Sequence, residues 1–216
     1  MRIKHGRVCL ELHELAQRPG PNLLLLHALY GSSQDWNPPA INWRGSVYAL
    51  DFSGHGQSDW VAGGGYYPEL LLADADAALA RIGRTAVAGA GIGAYIALLL
   101  AGARRDLVPA ALLHPGAGLA GGGALPDFDR ELPDFLARPD GAAADPPYDP
   151  MVRALDIDAR PVDYAASFAG AVQRLLLCED ATPRPPWWEV TRESPTAERV
   201  PADTRAALGR LAQVVD

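Results

Sequence analysis

Four consecutive leucines, Leu23 to Leu26, constrain this chain more than any other feature. A strand with one wet face alternates apolar and polar residues. A strand buried on both faces becomes a continuous apolar run. Val47–Leu50, Thr85–Ala88, Ala110–Leu113 and Arg174–Leu177 follow the same pattern. Helical stretches lie between most of them. Pro68 opens one, whose apolar stripe is Leu71, Leu72, Ala75, Ala78, Leu79 and Ile82. Asp203-Thr204 caps a final one, with Ala207, Leu208, Leu211, Val214 and Val215 turned inward. Val8 to Leu15 alternates and is expected to form a hairpin with Arg2–His5. Strands alternating with helices predict an α/β fold around a mostly parallel sheet.

The 216 residues suit a single domain, 1–216, with a sizeable core. Net charge is −7 with no basic cluster, which argues against nucleic acid or an anionic membrane as partner. The longest apolar runs, such as Ile96 to Ala101, are too short to span a bilayer, and the first residues do not read as a signal peptide. Cys9 and Cys178 make no disulfide framework. A cytoplasmic protein is expected. Residues 115–160 break the rhythm with Gly121-Gly122-Gly123, several prolines and many acidic residues. They are expected to form either a lid or a long irregular excursion.

The region that carries most chemical meaning is Thr85-Ala-Val-Ala-Gly89-Ala90-Gly91-Ile92-Gly93-Ala94. A short apolar strand enters a glycine turn, and a helix follows from Tyr95. Upstream, the leucine run ends in His27-Ala28-Leu29-Tyr30-Gly31. The next strand runs into Asp51-Phe52-Ser53-Gly54-His55-Gly56-Gln57-Ser58-Asp59. Together these resemble, in order, the oxyanion segment, the D-x-x-G-H-G-x-S-D segment and the nucleophile elbow of the α/β-hydrolase superfamily. The resemblance holds from about residue 20 to 115 and thins afterwards. It implies an α/β-hydrolase fold with about eight strands and a short irregular lid at 115–160.

The same resemblance exposes what is missing. The elbow G-x-S-x-G lifts a serine above the sheet; here Gly91 stands in the serine's place. The catalytic histidine of the family follows the last strand. This chain's five histidines are His5, His13, His27, His55 and His114, all in the first 114 residues. Pro201-Ala202-Asp203-Thr204 occupies the expected loop, and an aspartate is too weak a base to activate a serine. Asp180, or Glu179 beside it, is a possible relic of the triad acid; a solvated acidic turn is the plainer alternative. Glycine also relieves backbone strain at a turn with sparsely allowed angles.

Several residues remain as candidates. Backbone N–H groups near His27 and Ala28, with that of Ile92, are expected to line an oxyanion hole. Trp36 and Tyr95 are candidate pocket aromatics, as are Trp60, Tyr66, Tyr67, Trp187 and Trp188; core packing is the competing role for each. His114 ends the strand after the elbow helix, and Cys178 ends the next strand. A thiolate–imidazole dyad between them is one chemical option. A metal site from His27, His114 and Asp51 lacks recognisable ligand spacing, and neither metal nor cofactor is expected.

Three functional readings follow. The first is a catalytically degenerate hydrolase fold that binds a small apolar or acyl ligand, or a protein partner. The second is an atypical hydrolase or lyase using His114, Cys178 or a bound water. The third takes Gly89-x-Gly91-x-x-Ala94 as a dinucleotide fingerprint. That motif calls for an acid at the end of the next strand, where this chain has His114.

Overall fold

The computed structural model describes residues 1–36, 43–61, 64–119, 148–156, 158, 160–179 and 184–215. Its eight strands are β1 (Arg2–His5), β2 (Val8–Ala16), β3 (Asn22–Leu26), β4 (Val47–Asp51), β5 (Thr85–Ala90), β6 (Ala111–His114), β7 (Leu175–Glu179) and β8 (Ala197–Pro201). They form one sheet in the order β1-β2-β4-β3-β5-β6-β7-β8. β1 pairs antiparallel with β2, and β2 antiparallel with β4. Every other pairing is parallel. The elbow strand β5 lies between β3 and β6, with Leu26 opposite Gly89 and Ala90 opposite His114.

The continuous apolar runs serve both faces of the sheet. Leu24, Leu26, Val87, Leu113, Leu175 and Leu177 join one core cluster. Leu23, Leu25, Ala86, Ala88, Leu112, Leu176 and Cys178 join the other. On the first face lie α1 (Pro68–Ile82), α2 (Ile92–Ala103), α3 (Val162–Ala169) and α4 (Pro186–Arg192). On the second, Ala207, Leu208 and Leu211 of α5 (Thr204–Val215) pack beside Trp43.

α2 has no wet face: Ile92 to Ala101 are all buried. It opens directly on the elbow, so its first turn is held by the sheet below and its neighbours above. Close packing there depends on glycine. A Cβ on Gly93 would collide with the Leu26 carbonyl oxygen, and one on Gly89 with that of Gly93. Asp203 caps α5 as expected, its Oδ1 accepting from the Ala206 N–H at 2.7 Å.

Most of the proposed lid, residues 120–147 with 157 and 159, lies outside the described residues. Its two flanks are described. Pro115–Leu119 leaves β6 and crosses above the elbow. Tyr148 bridges to His55, and Pro150–Leu155 form a 3-10 turn. Asp149 accepts from the Tyr66 hydroxyl at 2.9 Å.

Candidate functional site

Gly91 sits at the strand-to-helix turn with φ 55° and ψ −118°, a conformation that L side chains rarely adopt. Strain is only half of the case for glycine. The strap Pro115–Leu119 lies directly over it. A Cβ built on Gly91 would collide with the Ala117 carbonyl oxygen and stand 2.8 Å from the Gly116 carbonyl carbon. The strap is fitted in turn. A Cβ on Gly118 would lie 2.5 Å from the Ile92 nitrogen, and one on Gly116 3.0 Å from the Gly91 nitrogen. Backbone thus occupies the space a nucleophilic side chain would need.

The strap also engages the anion-binding donors. The Ala117 carbonyl accepts from the Ile92 N–H at 2.9 Å and the Leu29 N–H at 3.0 Å. These two N–H groups converge from the loop after β3 and the N-terminus of α2. The oxygen they hold is the protein's own. The Gly91 N–H donates to the His114 carbonyl at 3.0 Å, closing the corner. Leu29 lies on the loop that His27 and Ala28 begin. Ala28 offers its carbonyl instead, accepting from the Gly31 N–H at 3.0 Å and from His27 Nδ1 at 2.7 Å.

His27 is structural. Its side chain is fully buried, and Nε2 accepts from the Phe52 N–H at 3.2 Å. That contact assigns the proton to Nδ1, which donates to Ala28. His55 lies beside it, 4.9 Å between ring centroids. Burial pushes both imidazoles below their ordinary value, and burial with the neighbouring His27 takes His55 down to about 3. Asp51 anchors the preceding segment, accepting from the N–H groups of Ser33 (2.7 Å) and Gln57 (2.9 Å) and contacting His13 Nε2 (3.0 Å). Burial pushes its carboxyl up, and these hydrogen bonds outweigh that and hold it down. Tyr30 adopts φ 68°, while its hydroxyl donates to Asp156 at 3.0 Å.

His114 ends β6 at the carboxyl edge and reaches the loop after β8. Its Nδ1 lies 2.9 Å from the Pro115 carbonyl oxygen. Its Nε2 lies 3.1 Å from the Ala202 carbonyl oxygen and 3.4 Å from the Thr204 hydroxyl. Each ring nitrogen thus faces a backbone carbonyl oxygen, with the Thr204 hydroxyl beside Nε2. No hydrogen bond joins His114 to Cys178 among the described residues. The Cys178 thiol is buried in the core on the second face, and burial pushes it up to about 12. It is no activated thiolate.

Other sequence candidates separate as well. Trp36 packs against the second-face core, on the α5 side. Tyr95 is fully buried in the first-face core, 5.1 Å from the Trp187 ring. Glu179 pairs with Arg192, whose Nε is 2.6 Å away. Asp180 lies outside the described residues. Among the described residues, no group of three or more His, Cys, Asp or Glu side chains is arranged to hold a metal, and no helix is long and apolar enough to cross a membrane.

Beside the strap opens a cavity of about 400 Å³. Gly91, His114 and the strap residues Pro115, Gly116, Gly118 and Leu119 line it together with Arg184, Pro185, Trp187 and Trp188. The size is ordinary for a small-molecule site. Trp187 and Trp188 were sequence candidates. Arg184 and the strap were not, although the glycines flanking Ala117 hint at a close backbone approach.

The sheet order and the helices on both faces define an α/β-hydrolase fold. No family model matches the chain, and none of the curated proteins matches it in sequence. Similar solved structures share this fold. The thioesterase domain from the curacin biosynthetic pathway aligns with TM-score 0.72 at 15% identity, covering 100% of this chain and 98% of that one. Est816, an N-acyl homoserine lactone degrading enzyme, aligns at 0.71 and 18%, covering 100% and 98%. The bottromycin epimerase BotH, in complex with bottromycin A2, aligns at 0.62 and 22%, covering 99% and 95%. The dinucleotide reading gives way to this fold. The N-terminus of α2, where a pyrophosphate would sit, is taken by Ala117.

Proposed function

We propose that this protein uses the α/β-hydrolase fold to bind a small molecule in the cavity beside Gly91, and does not carry out serine-based acyl transfer. One observation carries the reading: the Ala117 carbonyl engages both oxyanion-hole N–H groups and stands where a Gly91 side chain would project. Acyl transfer needs a nucleophile, a base and a vacant hole at one point. Here backbone fills that point. The adjoining cavity keeps aromatic walls and polar groups, the usual composition of a ligand site. Two free cysteines suit a reducing, cytoplasmic setting.

The test pairs turnover with binding. Wild-type protein is expected to hydrolyse p-nitrophenyl acetate and butyrate no faster than buffer, while small apolar ligands perturb its tryptophan emission saturably. A rate that survives repurification and disappears in His114→Ala would overturn the reading.

A second reading makes the cavity a proton-transfer site with His114 as acid–base. Two facts favour it. The imidazole lines the cavity, and a protein of similar fold is an epimerase in complex with bottromycin A2. Proton exchange at an acidic carbon needs no nucleophile and no acyl intermediate. Solvent deuterium incorporation into a bound ligand, lost in His114→Ala, would select this reading over simple binding.

A further inference from the structure

We infer that Tyr30 is a positioning residue of the backbone clamp: its hydroxyl, held by Asp156, keeps its own backbone in the left-handed region and so presents the Leu29 N–H to Ala117. Among the described residues, Tyr30 is the one non-glycine residue with positive φ, at 68°. A bulky residue keeps that conformation only where its surroundings hold it there. The holding contact comes from 126 residues along the chain, where Asp156 Oδ2 accepts from the Tyr30 hydroxyl at 3.0 Å. Beside it, the Tyr30 and Tyr148 rings stand 5.1 Å apart. Burial, and then the Asp156 charge, push the phenol up, so it stays protonated and remains the donor.

The place of Tyr30 in the chain gives this contact its consequence. The Gly31 N–H donates to the Ala28 carbonyl at 3.0 Å, which closes a four-residue turn over Ala28–Gly31. Tyr30 holds the third position of that turn, where positive φ usually selects glycine or asparagine. Leu29 holds the second, and its N–H donates to the Ala117 carbonyl of the strap at 3.0 Å. A Tyr30 relaxed to negative φ cannot keep this turn, and the Leu29 donor goes with it. The strap and the segment 148–156 therefore meet at one turn, the first at Leu29 and the second at Tyr30. The strap lines the candidate cavity, so the docking of 148–156 is tied to a wall of that site. The link does not depend on what the cavity holds. A second tyrosine fastens the same segment elsewhere: the Tyr66 hydroxyl donates to Asp149 at 2.9 Å, without touching the Ala28–Gly31 turn.

The experiment is amide hydrogen exchange on the full chain, read by NMR at the Leu29 N–H. Rates are taken relative to Val87 in β5, whose N–H donates to Ala110 at 3.1 Å, so that a general loss of stability cancels. Tyr30→Phe keeps the ring and removes the hydroxyl, and is expected to speed Leu29 exchange about fivefold or more. Asp156→Ala, at an exposed position, is expected to do the same and gives the test if Tyr30→Phe fails to fold. Tyr30→Gly removes more atoms, yet glycine keeps positive φ with no clasp. It is expected to retain more protection at Leu29 than Tyr30→Phe, the reverse of what lost packing alone would give. Tyr66→Phe is expected to leave Leu29 within about twofold of wild type. Unchanged Leu29 exchange in both Tyr30→Phe and Asp156→Ala overturns the link. Less protection in Tyr30→Gly than in Tyr30→Phe overturns the backbone role of Tyr30. An equal rise in Tyr66→Phe assigns the effect to loosening of 148–156 as a whole and overturns it as well.

Discussion

Two neighbouring regions at the carboxyl edge of the sheet treat their hydrogen-bond donors in opposite ways. In the elbow corner, the N–H groups of Leu29, Gly91 and Ile92 are all engaged by the chain's own carbonyls, those of Ala117 and His114. In α4, which lines the same cavity, two indole N–H groups have no acceptor among the described residues. The corner is a backbone clamp closed by the strap. The α4 wall leaves its two indole donors buried and without such a partner among those residues. The two regions rest on different elements, β3, β5 and the strap for one and α4 for the other, although both line the same cavity.

The comparison breaks most directly at Gly91. Gly91→Ser must place a side chain at positive φ and drive the Ala117 carbonyl from its two donors. The expected loss is about 3–5 kcal/mol, from backbone strain plus two hydrogen bonds, read from denaturant melts. Ester turnover should stay at background, since the serine proton has no base. A stability change below about 0.5 kcal/mol would mean that the strap does not occupy the corner.

Gly118→Ala tests the same clamp from above. Its Cβ would meet the Ile92 nitrogen at 2.5 Å, so the strap must shift. A loss of about 1–3 kcal/mol is expected in denaturant melts, typical of overpacking. A variant as stable as wild type would mean that the strap does not pack on the Ile92 backbone.

Acid should loosen the clamp side selectively. His27 and His55 are held neutral when folded and gain a proton when unfolded below about 6.5. Their contribution is complete above that pH and declines as pH falls toward about 3, the folded value of His55. Between pH 6.5 and 5 each histidine should cost up to about 2 kcal/mol. Urea melts across that range should show stability rising with pH, and His55→Asn should flatten the slope. A slope unchanged by that variant would place the titration elsewhere.

The smallest effect is expected on the far side of the sheet edge. Glu179→Gln removes a partly exposed ion pair with Arg192 and should cost no more than about 1 kcal/mol, with binding unchanged. An effect on turnover or binding would revive Glu179 as a working acid.

Much of the fold was legible in the sequence because burial on both faces leaves a mark on every strand: polar residues drop out. The glycine turn was legible because few residues tolerate positive φ between a strand and a helix. Placement of His114 at the pocket edge followed from counting strands. The aromatic assignments were less legible. Tyr95 and Trp36 entered the two cores, and a sequence of aromatics does not say which wall of which layer each will face. Trp187 and Trp188 came to the cavity because α4 packs on the same face as α2. The fate of the oxyanion donors was not legible either. Pro115–Leu119 has no periodicity, and its role depends on meeting a turn distant in sequence.

The sequence by itself therefore determined the layered α/β architecture and the strand-to-helix turn at Gly91. These follow from local rules: side-chain period, glycine at a positive φ, and residue identity. Only the tertiary structure decided what stands above the elbow. Two backbone N–H groups from separate loops must be satisfied by something, and which acceptor reaches them depends on the path of a third segment through space. Ala117 reaches them here because glycines on both sides let the two backbones touch.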